Sequence, residues 1–280
     1  MADITPALVG KLREMTGAGL MDCKNALVES NGDLQGAVDV LRKKGAASAA
    51  KKATREAKEG VIAQHVTPGA KSGVLVEINC ETDFVAKNDS FGVFCADIAK
   101  KLAANPAADT EVDRTAAVAK IGENIKITRH QRLEVQGAGA IAAYIHTGAK
   151  VGVLAEVGCG KEATAATEDF KQLVRDITLQ IAAAYPTTVS REHVPAEIIQ
   201  REDDIARNSD ALKGKPAAAM ENILKGKREK FFQTICLVDQ GFVKNPDVTV
   251  KAHLGAIAKQ LGDEVTVRRF LRFQVGEVLS

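Results

Sequence analysis

Cysteine and histidine side chains are the first candidates for chemistry in this chain, as nucleophiles, bases or metal ligands. The five cysteines and five histidines lie far apart, and no two cysteines form a CxxC pair. Cys80 could act as a nucleophile with His65 as its base, which would make the protein a thiol enzyme. However, Cys159 occupies the same place in a second copy of the surrounding sequence, and this recurrence favours a packing role. The pattern predicts reduced, buried thiols rather than disulfides or a zinc site.

Two glycine-rich stretches approach nucleotide-binding motifs without matching them. Residues 158–162 contain Gly-Lys but lack the hydroxyl residue that holds magnesium in a P-loop. Residues 137–142 fit GxGxxA, yet a strand-like segment follows where the dinucleotide fingerprint requires a helix. Neither GxSxG nor HExxH occurs. We therefore expect no chemical catalysis and no cofactor bound by this chain.

An aromatic residue beside a carboxylate, Phe84 after Asp83, allows two interpretations. In one, Phe84 fills the core and Asp83 caps the helix that follows, a role that aspartate performs well. In the other, Phe84 is an exposed wedge next to a charge, which is typical of protein recognition. Only 4% of the residues are aromatic and none is tryptophan, so each aromatic side chain needs an explanation.

Charge and hydropathy argue against direct nucleic-acid binding and against a membrane protein. The chain has 280 residues, with 38 basic and 36 acidic side chains and a net charge of +2. A nucleic-acid-binding protein usually has a large basic excess, so direct nucleic-acid binding is not expected. A basic run over residues 42–58 keeps an RNA-binding or ribosome-associated protein open as the alternative function, although a solvated helical linker explains it as well. No long apolar run or signal peptide is evident, which predicts a cytoplasmic protein without a membrane partner.

An internal repeat is the most informative pattern. Residues 60–104 match residues 139–183 without a gap, and each copy predicts strand, turn, strand, loop and amphipathic helix. Residues that only build the fold should recur in both copies, whereas residues added for function need not. The loop between the second strand and the helix differs, because Phe84 in the first copy aligns with Ala163 in the second. Phe84 is therefore specific to one copy.

The repeat sits within a predicted α+β architecture of several parts. Residues 1–54 form a domain of three short helices plus the basic linker, with Thr5 and Asp33 as caps, Pro6 at a helix start and Gly45 at the end of the third helix. Two pseudo-repeated α+β core subdomains then occupy residues 55–138 and residues 139–186 with 232–263. Residues 264–280 add a C-terminal strand.

Residues 187–231 predict a coiled-coil helical hairpin. Apolar residues recur every seven positions on the first helix, the turn falls at residues 213–216, and a second apolar stripe lines the return helix. The predicted seam is formed by Ile198, Ile205, Leu212, Met220, Ile223, Leu224 and Phe231. A pair of helices lying flat on the core is the alternative. Strand structure is predicted to return at residues 232–238.

Four long segments resemble the signature of the translation elongation factor Ts family. They are residues 12–27, 77–86, 119–125 and 144–148, and they stand in the family's order. The resemblance implies a guanine-nucleotide exchange factor for elongation factor Tu, with GDP, GTP and Mg²⁺ belonging to that partner. It also implies a ubiquitin-associated-like N-terminal domain, a core of two subdomains and a projecting coiled-coil hairpin. A homodimer or a 2:2 complex with the partner is compatible with it.

The resemblance further implies which residues meet the partner. The loop of Thr82, Asp83, Phe84 and Val85 would enter near the magnesium site and displace Mg²⁺, with Phe84 as the wedge. Further contacts are implied for Ile121, Gly122, His146, Met21 and Lys24. Many family members continue past residues 275–277 as a helical tail, and we expect the contacts of such a tail to be missing here.

Overall fold

Three helices open the chain in the computed structural model, which describes residues 3–209 and 216–277. Their bounds are α1 (Pro6–Thr16), α2 (Leu20–Glu29) and α3 (Leu34–Lys52). The hydroxyl of Thr5 accepts a hydrogen bond from the N–H of Leu8, and the Asp33 carboxylate accepts one from Gly36, so both predicted caps are confirmed. A small core of buried apolar residues holds the three helices together, including Leu12, Cys23, Ala26 and Leu27.

Helix α3 does not end at Gly45, and that prediction is wrong. The helix continues to Lys52. Gly45 is buried inside it, and a Cβ there would lie 3.4 Å from the Cβ of Ala119. The glycine therefore permits close helix packing rather than a turn. Much of the basic run is thus helical, and Lys44 pairs with Glu29 at 2.8 Å on the surface.

The first sheet has the order β1-β2-β3 and is antiparallel. Its strands are β1 (Glu59–Val66), β2 (Ser72–Cys80) and β3 (Lys126–Glu134). Between β2 and β3 the chain forms α4 (Asp83–Ala86), α5 (Asp89–Ala104) and α6 (Glu111–Ile121). Every residue of β2 is buried, and α5 packs on one face of the sheet through Phe91, Ile98 and Leu102.

The second sheet has the order β4-β5-β8 and repeats this plan. Its strands are β4 (Gly139–Ile145), β5 (Val151–Cys159) and β8 (Val265–Gln274). Between β5 and β8 lie α7 (Glu162–Ala166), α8 (Glu168–Ala184), α9 (Ala196–Arg207), α10 (Ala217–Ile235), β6 (Gly241–Phe242), β7 (Asn245–Thr249) and α11 (Val250–Leu261). The C-terminal segment predicted as a strand is therefore the third strand of this sheet, in the place that β3 holds in the first.

Backbone hydrogen bonds join the two sheets reciprocally. The N–H of Ile62 donates to the carbonyl of Ala149 at 2.7 Å, and the N–H of Ile141 donates to the carbonyl of Ala70 at 2.8 Å. The two bonds are equivalent, because Ile62 aligns with Ile141 and Ala70 aligns with Ala149 in the sequence repeat. Apolar side chains from both sheets fill the space between them, including Ile62, Leu75, Leu133, Ile141, Leu154 and Phe273.

Each sheet also buries one glutamate against an arginine. Glu77 pairs with Arg129 of β3, and Glu156 pairs with Arg269 of β8, both at 2.7 Å. The backbone that follows each third strand crosses to the other sheet, because the Gly276 N–H donates to Glu77 and the Gln136 N–H donates to Glu156. Each of these two carboxylates thus accepts hydrogen bonds from residues of both sheets.

The hairpin seam differs from the prediction. Helices α9 and α10 are present and contact each other, but Ile198 and Ile205 are 41% and 56% exposed and are therefore not buried between them. The buried residues of α9 are Asp203 and Ala206, and the Arg228 guanidinium donates to Asp203. Leu212 and the predicted turn at residues 213–215 lie outside the described residues.

Residues 232–238 are not a strand as predicted. Helix α10 continues to Ile235, because Phe232 packs with Val194 and Cys236 in a small apolar cluster at the base of the hairpin. A short 3-10 turn (Leu237–Asp239) follows. The ribbon of β6 and β7 comes only after that turn. Among the residues that the structure describes, no helix has the length and apolar character needed to cross a membrane.

Candidate functional site

The loop of residues 82–85, here called the Phe84 loop, leaves the buried strand β2 and begins helix α4. Thr82 is the N-cap of that helix, because its hydroxyl accepts a hydrogen bond from the N–H of Val85 at 3.3 Å. Val85 is half-buried and packs against the core of the first sheet. Phe84 points outward and is 82% exposed. A helical turn anchored at both ends thus presents one aromatic ring to solvent.

The structure decides between the two interpretations of Asp83 and Phe84. Phe84 does not fill the core, and Asp83 does not cap the helix, because Thr82 takes that position. Asp83 instead pairs with Lys87 one turn later at 2.7 Å. The hydrogen bond from Lys87 holds the pKa of the Asp83 carboxyl below its usual value. In the second copy, α7 carries Ala163 where α4 carries Phe84.

Glu123 fixes the Phe84 loop from the other side. Its carboxylate accepts hydrogen bonds from the N–H groups of Glu81 and Thr82 at 3.0 and 3.1 Å, and from the Thr82 hydroxyl at 2.6 Å. Bonds of this kind to an ionised carboxylate are strong. We call this arrangement the carboxylate clamp.

A second set of bonds supports the clamp. The Glu81 carboxylate accepts a hydrogen bond from the N–H of Asn124 at 2.6 Å. The side-chain amide of the buried Asn124 donates to the carbonyl of Arg55 at 2.7 Å. The segment between α3 and β1 is thereby attached to the same corner of the molecule.

Ile121 and Gly122 lie directly before Glu123, at the end of α6. Gly122 has a φ of 90° and ends the helix in the left-handed conformation that favours glycine. It is exposed, and Ile121 is half-buried against the core of the first sheet. The structure therefore brings the Phe84 loop and residues 121–123, here called the Gly122 corner, into one connected surface.

His146 lies in the turn between β4 and β5, next to the start of β1. It is exposed, and its Nδ1 is 3.1 Å from the hydroxyl of Tyr144. Lys150, at the end of the same turn, is ion-paired with Glu59 at 2.5 Å, and Glu59 is the register partner of Cys80. The turn of His146 thus neighbours the strand end from which the Phe84 loop emerges.

Met21 and Lys24 lie on α2 and are both exposed, Met21 by 61%. The turn before α2 approaches the Gly122 corner, because the Lys120 side chain lies within 4 Å of the position of a Cβ at Gly17. No hydrogen bond or ion pair joins Met21 or Lys24 to the Phe84 loop within residues 3–209 and 216–277. These two residues form a separate exposed patch.

Cys80 is a core residue, which contradicts the thiol-enzyme hypothesis. It is fully buried, and burial raises the pKa of its thiol to about 12. The thiol donates to the carbonyl of Thr82 at 3.2 Å, and Cys159 makes the equivalent bond to Lys161. His65 pairs with Val74, six residues away from Cys80 along β2, which is a separation of about 20 Å.

Sequence reasoning missed Glu123 as part of this site. A signal existed, because the second copy has the same feature: Gly262 ends α11 in the left-handed conformation, and the next residue, Asp263, accepts a hydrogen bond from the N–H of Lys161 at 3.0 Å. Lys161 aligns with Thr82. The hairpin and the β6-β7 ribbon separate these residues from the ungapped part of the repeat, which concealed the match.

Comparison with known proteins gives one consistent result. The family model described as Elongation factor TS matches residues 81–277. The elongation factor Ts of Trichlorobacter lovleyi is 44% identical over 99% of this chain and 94% of its own length. Those of Symbiobacterium thermophilum and Nautilia profundicola are 44% and 42% identical, over 99% and 100% of this chain and 93% and 95% of their own lengths. Since the model covers more than half of the chain and the relatives cover nearly all of it, the chain belongs to the elongation factor Ts family.

Proposed function

We propose that this chain promotes the exchange of GDP for GTP on elongation factor Tu by direct protein contact. The observation that carries the proposal is the exposed Phe84, held on a loop that is hydrogen-bonded at both ends. An aromatic side chain in this position suits insertion into a protein surface. Membership of the elongation factor Ts family supplies the partner.

The mechanism follows from how a GTP-binding protein holds its nucleotide. Mg²⁺ and backbone amides bind the phosphates, and the ion is the largest local charge. A rigid ring that shifts the surrounding elements therefore weakens nucleotide binding without any bond being made or broken by this chain. Linkage requires reciprocity: the chain weakens GDP binding by the same factor by which GDP weakens binding of the chain. GTP then refills the site and releases the chain.

The other predicted contact residues surround this centre. Ile121 and Gly122 adjoin the Phe84 loop through Glu123, and the turn of His146 flanks the same strand end. We assign Thr82, Asp83, Phe84 and Val85 to the magnesium-displacing contact. Met21 and Lys24 form a second contact made by the N-terminal helices.

The proposal includes the finer architecture expected for the family. The N-terminal helices act as a ubiquitin-associated-like domain, the two sheets belong to two related core subdomains, and α9 and α10 form the coiled-coil hairpin. The chain holds no cofactor of its own, it acts in the cytoplasm, and GDP, GTP and Mg²⁺ stay with the partner.

Replacement of Phe84 tests the proposal. Elongation factor Tu loaded with a fluorescent GDP is mixed with the chain and excess unlabelled GDP, and release is followed by stopped flow. We expect the chain to accelerate release, and Phe84→Ala to reduce that acceleration by at least about tenfold because the aromatic side chain that inserts into the partner is lost. The exposed side chain should contribute little to folding, so the thermal midpoint should stay within about 2 °C.

A matched control keeps the comparison specific. Val112 is 69% exposed at the opposite end of α6 from the Gly122 corner. Val112→Ala should accelerate GDP release from elongation factor Tu as much as the wild-type chain does. Equal rates for Phe84→Ala and the wild-type chain would contradict the proposal, as would no acceleration by either.

A further inference from the structure

We infer that Glu123 is a positioning residue for nucleotide exchange, which joins the Phe84 loop to the Gly122 corner so that both meet the partner as one rigid unit. This inference rests on the proposed function. Glu123 itself acts through the loop that it holds, not through contact with nucleotide or magnesium.

Several hydrogen-bond donors converge on the side chain of Glu123. Two backbone N–H groups and one hydroxyl point at the Glu123 carboxylate, and both of its oxygens are used. Glu81 and Thr82 are the residues between the last buried residue of β2 and the first turn of α4. Their N–H groups have no strand or helix partner there, so the carboxylate supplies the bonds that fix the direction in which the chain leaves the sheet.

The second copy of the repeat contains a matching clamp. In the second copy, Asp263 accepts from the N–H of Lys161 at 3.0 Å and from the hydroxyl of Thr164 at 2.5 Å. Each acidic residue directly follows the glycine that ends a helix, and each shortly precedes the third strand of its sheet. The clamp is therefore a feature of the fold, and only the first copy uses it to support an exposed aromatic ring.

The proposed role of Phe84 requires a rigid loop. A ring can displace structure in another protein only if its own backbone resists the push, because a mobile loop would yield instead. The Phe84 loop is restrained by the Thr82 cap, the packing of Val85, the bond from the Cys80 thiol and the clamp. The first three attach it to its own turn, to the core and to β2, whereas the clamp attaches it to Glu123 at the end of α6. Removing the clamp should leave Phe84 exposed but poorly positioned.

Paired variants test the inference, first in the free protein. Glu123→Gln replaces the charge by an amide in the first clamp, and Asp263→Asn makes the same change in the second. In Glu123→Gln, we expect the N–H groups of Glu81 and Thr82 to exchange with D₂O about tenfold faster than in the wild-type chain. In Asp263→Asn, we expect the same increase for the N–H group of Lys161. Unchanged protection of Glu81 and Thr82 in Glu123→Gln would overturn the clamp. This readout needs no partner, so it separates a failed clamp from a failed exchange function.

The exchange assay then tests the functional part. Glu123→Gln should slow chain-stimulated GDP release about tenfold, whereas Asp263→Asn should stay within about twofold of wild type. In the Phe84→Ala background, Glu123→Gln should add less than about twofold, because both changes remove the same contact. A full tenfold further loss in that background, or equal losses for both clamp variants, would overturn the inference. If Glu123→Gln does not fold, Glu123→Asp takes its place in the same cycle.

Discussion

At the scale of single residues, the exposure of Phe84 is a consequence of its neighbours. Thr82 caps α4 and receives the clamp, Val85 turns inward to the core, and the ring between them is left in solvent. The sequence repeat singled out Phe84, because copies of one unit should share core residues and differ where function was added. It could not decide between core and surface, since a one-turn helix has too few residues to show an apolar face.

The cysteines provide a residue-scale prediction. All five are buried, and the pKa of the Cys80 thiol is raised to about 12, so almost no thiolate exists at pH 8. We expect iodoacetamide to label the folded chain far more slowly than the chain in urea, as counted by mass spectrometry. Cys80→Ala should stimulate GDP release from elongation factor Tu as the wild-type chain does, and it should lose only about 1 kcal/mol of unfolding free energy, the cost of a small change in the core. Rapid labelling of Cys80 in the folded protein would contradict this assignment.

At the scale of elements, the sequence predicted the helices of the hairpin but not their orientation. A seven-residue spacing from Ile198 to Ile205 is typical of a packed seam. However, Ile199 lies on a neighbouring face of the same helix, and that face can also pack against α10. The structure uses the stripe of Ile199, Asp203 and Ala206, because Arg228 pairs with Asp203 across the hairpin. Because Asp203 is charged, it does not contribute to an apolar repeat. The spacing of apolar residues on α9 therefore predicted the wrong packing face.

The base of the hairpin gives an element-scale prediction. The Arg191 guanidinium pairs with Glu229 at 2.8 Å and with Asp239 at 3.0 Å, and it lies 4.8 Å from the centre of the Phe232 ring. Arg191→Ala should lower the unfolding free energy by about 1 to 2 kcal/mol, because the network and the ring contact are lost together. Urea titration followed by circular dichroism measures the change.

Arg207→Ala is the matched control for this experiment. Arg207 lies on α9 and pairs with Asp204 at 3.7 Å, with both side chains more than half exposed. Such a pair contributes about 0.3 to 0.5 kcal/mol. A loss for Arg207→Ala as large as that for Arg191→Ala would show that the hairpin base has no special role.

At the scale of the whole molecule, the two sheets form one pseudo-symmetric body. The repeat predicted two related α+β units, and the strands, the loops and the main helices follow it. It did not predict that β8 completes the second sheet or that Gly276 and Gln136 cross to the opposite sheet. Those features depend on chain segments outside the ungapped repeat, where few identities remain to be detected.

The buried Glu156 gives a prediction at this scale. Burial, the largest influence, favours the neutral acid, but the Gln136 N–H and the guanidiniums of Arg269 and Arg268 outweigh it and hold the pKa of Glu156 below its ordinary value of 4.5. The charged form therefore stabilises the fold above about pH 4.5, and this stability is lost as the pH falls through the lowered pKa. Glu156→Gln should cost about 3 kcal/mol at neutral pH, since Arg268 and Arg269 lose the carboxylate with which they form ion pairs.

Denaturation at several pH values checks this expectation. The difference between wild type and Glu156→Gln should be largest near pH 7 and should shrink below pH 4.5. Glu264→Gln, at an exposed position just before β8, is the control and should change stability by less than about 0.5 kcal/mol. A difference for Glu156→Gln that grows as the pH falls would have the wrong sign for the proposed ion pair.

The affinity of the chain for elongation factor Tu, measured with and without GDP, tests the proposed nucleotide exchange most directly. We predict tight binding to nucleotide-free elongation factor Tu and weaker binding when GDP and Mg²⁺ are present. Linkage fixes the size of the effect, because the ratio of the two affinities must equal the factor by which the chain weakens GDP binding. In calorimetric titrations, equal affinities in the presence and absence of GDP would contradict the central claim that this chain acts by displacing the nucleotide.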